Sequence, residues 1–352
     1  MRIVIDAPCA WKGEEIAGSD RWIRRLDGDV IAAIDDGLAQ FKRLGLDWTA
    51  ANRDTFELSR LDDLFDDIRE ELEEGSGMMR LSGLPVERYG LDDLQVIWAA
   101  LGHYIGVPVS QSLSGQRLMF IEDTGKQAAA YGELKDKQNF RSSRARALST
   151  AALRFHTDRC DVVGLMCVRQ ARKGGHSQLA SAVAVHNEML RRRPDLLEVL
   201  FADYPRSRFG EEVSDASKWY MLPVFALKDG KFSTHYSRTY IEAAQINPAV
   251  PRLSEAQNEA IDLLAELATE LCFEMTLQPG DIQLLNNHVV YHARASFEDH
   301  SEPGHGRLLV RQWLAMPNSR ALPEGHEVLW GSTAPGAQRG GIWPPEDRPL
   351  PW

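Results

Sequence analysis

Apolar residues recur three and four positions apart in DVIAAIDDGLAQFKRLG (29–45) and LDDLFDDIREELEEG (61–75), on acidic backgrounds. This spacing predicts amphipathic helices in a mainly helical stretch over residues 1–75, with the acidic faces turned to solvent. MMRLSGLPV (78–86) reads as a short strand entering a turn, and LDDLQVIWAALGHYIG (91–106) as a further amphipathic helix. From about Gln116 the pattern changes to short apolar runs bounded by turn residues: RLMFIED, VVGLMCVRQA, HSQLASAV, MLPVFALKDGKFST and DIQLLNNHVVYHARA. These are expected as strands. Two helices interrupt them. One is SAVAVHNEMLRRRPDLLEVL, closed by Asp203–Tyr204–Pro205; the other is SEAQNEAIDLLAELATELCF, opened by a capping box of Ser254 and Gln257. Pro279–Gly280–Asp281 then turns the chain into the next strand. Strands at irregular spacing with few intervening helices predict a mixed α+β fold with a double-sheet jelly-roll core rather than a βαβ array. The expected organisation is a helical N-terminal extension (1–75) packed on the core, a jelly-roll domain with helical insertions (76–320), and a Pro/Gly-rich tail (321–352).

Composition narrows the functional classes. The 352 residues are 43% hydrophobic and 26% charged, as in ordinary globular proteins. Forty Lys+Arg against 51 Asp+Glu give a net charge of −11, which argues against nucleic acid as partner while leaving room for a local basic pocket. The opening MRIVIDAPCAWKGEE turns polar within a few residues and is not read as a leader, and no apolar run of about 18 residues is long enough to span a membrane. Cys9, Cys160, Cys167 and Cys272 are scattered without a CxxC pair, so neither a disulfide framework nor a structural zinc site is expected. A cytoplasmic location follows; a homo-oligomer is left open.

The candidate chemistry is a metal site. Chance supplies about one His-x-Asp/Glu triplet in a chain of this composition, and three are present: His156-Thr-Asp158, His186-Asn-Glu188 and His300-Ser-Glu302. Residues i and i+2 share a face on a strand but diverge by roughly 200° on a helix, which excludes the pair in VAVHNEMLRRR. The third lies in FEDHSEPGHG, a polar surface loop. Only ALRFHTD places both groups where an extended segment meets a loop. Downstream, NNHVVYHARASF offers His288 and His292 on one side of a strand-like run. In GRLLVRQWLA, Arg307, Leu309 and Arg311 share one strand face, and two arginines turned into a sheet interior need an anion, supplied by structural ion pairs or by a bound carboxylate. His156, Asp158 and His292 together form a two-histidine, one-carboxylate set.

FHTD (155–158), KGGHSQLAS (173–181), LQPGDIQLLNNHVVYHAR (277–294) and GRLLVRQW (306–313) occur in an order and spacing that resemble the TauD/TfdA (taurine dioxygenase) family of Fe(II)/2-oxoglutarate oxygenases, related to clavaminate synthase. The resemblance runs from about Met78 to Pro317. It implies a double-stranded β-helix (jelly roll, cupin-like) core, iron held by His156, Asp158 and His292, and consumption of 2-oxoglutarate and O2 with release of succinate and CO2. Ser177 falls where the family often has a threonine that contacts 2-oxoglutarate. Arg307 matches the arginine on the distal carboxylate, and Arg311 a second arginine facing cosubstrate or an anionic substrate. Because the aspartate is retained, a halogenase is disfavoured. His288 has no role to carry over; with Asn287 it is a candidate to orient a ligand from behind.

The expected outcome is hydroxylation of an unactivated C–H bond in a small carboxylate-bearing or amino-acid-like molecule. Tyr236, Arg238 and Tyr240, on one face of an expected strand HYSRTYI (235–241), together with Arg154, are candidates to line the pocket. The basic segment 135–155 resembles a lid. Two alternatives are a non-redox cupin-type metalloenzyme and a catalytically silent 2-oxoglutarate sensor.

Overall fold

The computed structural model of the protein describes residues 3–125, 146–208 and 218–344. The acidic amphipathic stretches form helices Gly28–Leu44 and Asp62–Glu73. Asp27 caps the first by accepting from the Asp29 and Val30 N–H groups, and Gly45, in the left-handed region at φ 65, ends it. Ile34, Leu38 and Phe41 bury one face of the first helix, and Phe65, Ile68 and Leu72 one face of the second. The Ser254/Gln257 capping box opens helix Glu255–Glu270 as expected. The single helix expected around 181–200 is instead two, Ala182–Arg192 and Pro194–Val199. Pro194 lacks an N–H and pushes Arg193 out of helical geometry, to ψ 71.

The strands build a mixed α/β fold around two main sheets. The larger, seven-stranded sheet runs Ile23–Arg25, Met78–Ser82, Ile282–Asn286, Val162–Arg169, Leu308–Ala315, Val107–Val109, with Leu118–Ile121 also paired to Leu308–Ala315. Only its first pair is parallel. The four-stranded sheet runs Phe273–Met275, Ser177–Ser181, Val290–Arg294, Leu153–His156. The two-residue period of strands sorts side chains between two cores. Val162, Met166, Val310 and Leu314 face the helical layer, whereas Val163, Cys167, Leu309 and Trp313 face the smaller sheet. Arg311 therefore points between the sheets.

Trp98, on helix Leu91–Ile105, anchors the helical layer. It is fully buried, its indole N–H donates to the Val310 carbonyl at 3.0 Å, and Gly164 makes room for it: a Cβ there would lie 2.7 Å from the ring. Trp98→Ala is expected to destabilise the fold by ~3–5 kcal/mol, read as a lower urea midpoint.

Three sequence expectations change. Ile23–Arg25 is an edge strand inside the stretch expected to be mainly helical, and Trp11, Ile16 and Trp22 beside it are buried in the core. The run DIQLLNNHVVYHARA is two strands in different sheets, Ile282–Asn286 and Val290–Arg294, and residues 287–289 carry the chain between them. Strand parity therefore does not connect His288 with His292. Residues 235–241 do not form a strand: helix Arg238–Ala244 begins inside them, with Arg238 and Glu242 paired one turn apart. Most of the expected lid, residues 135–145, lies outside the described residues. No described helix is long and apolar enough to cross a membrane.

Candidate metal centre

His156 ends strand Leu153–His156 and His292 lies mid-strand in Val290–Arg294; the two are direct cross-strand partners with ring centroids 4.2 Å apart. Asp158, in the loop that leaves the first of these strands, brings Oδ1 to 3.8 Å from His156 Nε2 and Oδ2 to 3.9 Å from His292 Nε2. One ligand atom from each residue falls within 4.8 Å of the others, and all three residues are buried.

The local bonding fixes how each group is presented. His156 Nδ1 lies 2.9 Å from the Arg154 carbonyl, so the Nδ1–H tautomer leaves Nε2 as a lone-pair donor. The Asp158 N–H donates to Asn287 Oδ1 at 2.9 Å, and the Trp313 indole N–H donates to Asp158 Oδ2 at 2.9 Å. Arg311 stands 3.6 Å from that carboxylate and is held in turn by Gln111 Oε1, 2.7 Å from its Nε.

Burial holds both histidines neutral. It lowers His156 despite the opposing pull of Asp158, and burial followed by the neighbouring His156 brings His292 down to about 3. Burial would raise Asp158, but the Arg311 charge and the Trp313 hydrogen bond oppose it, and the carboxyl lies below its usual range. Two neutral imidazoles and one ionised carboxylate, brought together in a buried site, suit a divalent cation.

A pH dependence follows. Burial brings His288 and His326 down to about 4, against 6.5 for a free imidazole. The folded protein keeps these rings neutral while the unfolded chain takes up protons below about 6.5. Stability is therefore lost as pH falls from about 6.5 towards 4, on the order of 1 kcal/mol per pH unit for each ring. Urea midpoints of the metal-free protein should be clearly lower at pH 5 than at pH 7; equal midpoints would contradict this.

Two chambers meet at the triad. One lies between the sheets and is lined by Ser177, Gln283, Arg294, Arg307 and Arg311 besides the ligands. Arg307 is buried, its guanidinium lies 5.3 Å from the Phe297 ring centre, and its Nη1 has no hydrogen-bond partner. Burial lowers Arg307, and burial together with Arg307 brings Arg294 down to about 10. Neither has an ion pair among the described residues, although Arg294 donates to backbone carbonyls including that of Ser149 at 2.7 Å. The second chamber is lined by Gln111, Arg159, Tyr220, His235, Tyr240 and Ile342, and shares His156, Asp158 and Arg311 with the first.

Ser177, Arg307 and Arg311 thus stand together beside His156, Asp158 and His292. Of the other candidates, Tyr240 lines the second chamber and Asn287 touches Asp158, whereas Arg154, Arg238, Tyr236 and His288 are engaged elsewhere. Arg154 pairs with Glu242 at 3.0 Å, Arg238 pairs with Glu242 and Asp262, and Tyr236 is buried against Tyr291. Asn287 holds the Asp158 loop, also donating to the Cys160 carbonyl at 3.1 Å. His288 faces away, bonded to Asp161 at 2.8 Å with its ring against Trp330. Sequence reasoning missed Trp313, which stands two residues past Arg311 on the same strand face and was detectable by that spacing. Gln111 and Asp161 carry no local signal.

A buried two-histidine, one-carboxylate centre between two sheets, opening on a chamber with two buried guanidinium groups, defines the class of non-haem iron oxygenases that use an anionic cosubstrate. Residues 40–313 match the taurine catabolism dioxygenase TauD, TfdA family, and the chain belongs to it. It is a 2-oxoglutarate-dependent dioxygenase whose cofactors are iron and 2-oxoglutarate. The chain is 28% identical over 331 residues to the FR-33289 synthase of Streptomyces rubellomurinus, covering 92% of this chain and 94% of that protein. It is also 28% identical over 292 residues to a taurine hydroxylase-like protein of Stachybotrys chartarum, covering 82% and 74% respectively. Among solved structures, asparagine oxygenase with Fe(II), 3-hydroxyasparagine and succinate shares the fold at TM-score 0.64 and 15% identity, over 84% of this chain and 93% of that one. The non-haem iron oxygenase OrfP with Fe and alpha-ketoglutaric acid does so at 0.61 and 14%, over 83% and 94%.

Proposed function

We propose that this protein hydroxylates an unactivated C–H bond of a small carboxylate-bearing or amino-acid-like molecule, with release of succinate and CO2. The observation that carries the reading is Arg307: a buried guanidinium with an unpartnered Nη1, in a chamber contiguous with the triad. A buried cation without a carboxylate is unfavourable unless a ligand supplies one.

His156, Asp158 and His292 would hold the iron, and the two-histidine, one-carboxylate set leaves positions open for other ligands. Iron bound there supplies the O2 chemistry that couples 2-oxoglutarate decarboxylation to C–H oxidation. The chain's own residues position and shield. Arg307 pairs with the distal carboxylate of 2-oxoglutarate, and the Ser177 hydroxyl on the same wall donates to it. Trp313 and Asn287 fix the Asp158 carboxylate and its backbone, so that the ligand does not turn away. Arg311, fixed by Gln111, borders both chambers and offers charge to a substrate carboxylate. The second chamber takes the substrate. The solved relatives carry hydroxylated asparagine and, in another OrfP complex, hydroxylated arginine, which supports the amino-acid-like class. In this reading the two facing sheets are the double-stranded β-helix, the described residues up to 75 its N-terminal extension, and residues 321–344 a C-terminal segment laid over it.

The test is a screen of amino acids, small carboxylic acids and matched small molecules lacking a carboxylate with Fe(II), 2-oxoglutarate and O2, reading succinate. A compound that raises succinate release in step with its own hydroxylation supports the proposal. Stimulation confined to compounds lacking a carboxylate would overturn the substrate class, and succinate release with no hydroxylated product would overturn the outcome.

A further inference from the structure

The segment Arg339–Ile342 lies against the loop that carries Asp158, although it is about 180 residues away in sequence. Arg339 is fully buried, and its Nε donates to Asp161 Oδ1 at 2.8 Å. Asp161 is equally enclosed: Oδ1 also meets His288 Nε2 at 2.8 Å, and Oδ2 accepts the Met316 N–H at 2.9 Å. The Gly341 N–H donates to the Arg159 carbonyl at 2.6 Å, and the Ile342 N–H to the Ser110 carbonyl at 2.7 Å. Both glycines have positive φ, 73° and 78°. A Cβ would stand 2.6 Å from the Arg159 carbonyl oxygen at Gly340 and 2.9 Å from the Ser110 oxygen at Gly341. The contact thus needs two adjacent residues without side chains. Ile342 bridges to Gln111, the residue that holds Arg311, and both line the second chamber.

From this geometry we infer that Arg339–Ile342 is a strap that belongs to the active site: Arg339 is a positioning residue for the metal loop, and Ile342 forms part of the substrate chamber wall. The loop 158–161 hangs between two supports. Asn287 holds its Asp158 N–H and its Cys160 carbonyl, and the strap holds its Arg159 carbonyl and its Asp161 carboxylate. Without Arg339, Asp161 keeps one neutral ring and one N–H, its charge is left uncompensated in the interior, and the loop that aims Asp158 relaxes. The inference rests on the reading of the triad as an iron site.

The test compares Fe(II) affinity in full-length wild type, Arg339→Met, Arg339→Lys and Arg320→Met, with thermal unfolding measured alongside. Arg320 is a control on the same C-terminal side: it is buried, paired with Glu73 at 3.0 Å, and its hydrogen bonds go to Glu73 and the Phe232 carbonyl rather than to the loop. Arg339→Met is expected to weaken Fe(II) by ~10-fold or more, the range seen when a partner behind a metal ligand is lost, with partial recovery in Arg339→Lys. Arg320→Met is expected to lower the melting temperature and leave Fe(II) affinity unchanged. If Arg339→Met does not fold, Arg339→Lys decides, with a few-fold loss expected. Wild-type Fe(II) affinity in the folded Arg339 variants, or an equal loss in Arg320→Met, would overturn the inference. Absence of Fe(II) binding in wild type would instead overturn the iron site itself.

Discussion

Arg307→Met is expected to raise the KM for 2-oxoglutarate by between ~30-fold and a few thousand-fold, the equivalent of the ~2–5 kcal/mol lost when one partner of a buried charge pair is truncated. Methionine keeps the length and apolar stem of the side chain, so packing on Phe297 is retained and the charge is the main loss. The same substitution should leave the apoprotein as stable as before or more so, because it removes a buried guanidinium that has no ion pair among the described residues. That pairing of results, lost cosubstrate affinity with undiminished stability, separates a ligand-binding arginine from a structural one. Succinate formation at varied 2-oxoglutarate gives the first quantity and a urea titration the second. A stability loss with unchanged KM would place Arg307 among the structural cations.

Asp158→Asn is expected to lower Fe(II) affinity by at least ~100-fold, beyond the ~10–100-fold typical of losing a group behind a ligand, and to abolish succinate release. The amide keeps an acceptor for the Trp313 indole and the same volume, so the fold is retained. It removes the only negative charge among the three ligand side chains and leaves Arg311, 3.6 Å away, without its carboxylate. Direct Fe(II) titration checks this; an unchanged affinity would show that the aspartate only balances Arg311.

How far these residues were legible in the sequence depends on whether their placement is local. Leu309 and Arg311 alternate along strand Leu308–Ala315, and strand period puts Arg311 on the interior side; Arg307 stands one residue before that strand, beyond a register shift between Leu308 and Leu309, so the period does not reach it. The Ser254 capping box, and His156 with Asp158 at a strand end, are likewise read within a few residues. His288 failed because the chain passes from one sheet to the other between Asn286 and Val290, and no parity survives that crossing. Residues 235–241 alternate like a strand, yet Arg238 and Glu242 also satisfy the spacing of a helical turn, and the helix prevails. The segment 321–344, rich in Pro and Gly, reads as a tail because its order comes from distant partners. Trp330 packs on His288, Arg339 on Asp161, and Gly341 on Arg159. The same glycines that weaken any local prediction are what permit the close approach.

The central claim, that His156, Asp158 and His292 form an iron site adjoining a 2-oxoglutarate chamber, is tested most directly by anaerobic titration of Fe(II) and 2-oxoglutarate into wild type and His292→Ala, followed by visible absorption. A weak charge-transfer band is expected to saturate in wild type and to be absent in His292→Ala. No band in wild type, or the same band in both proteins, would contradict it.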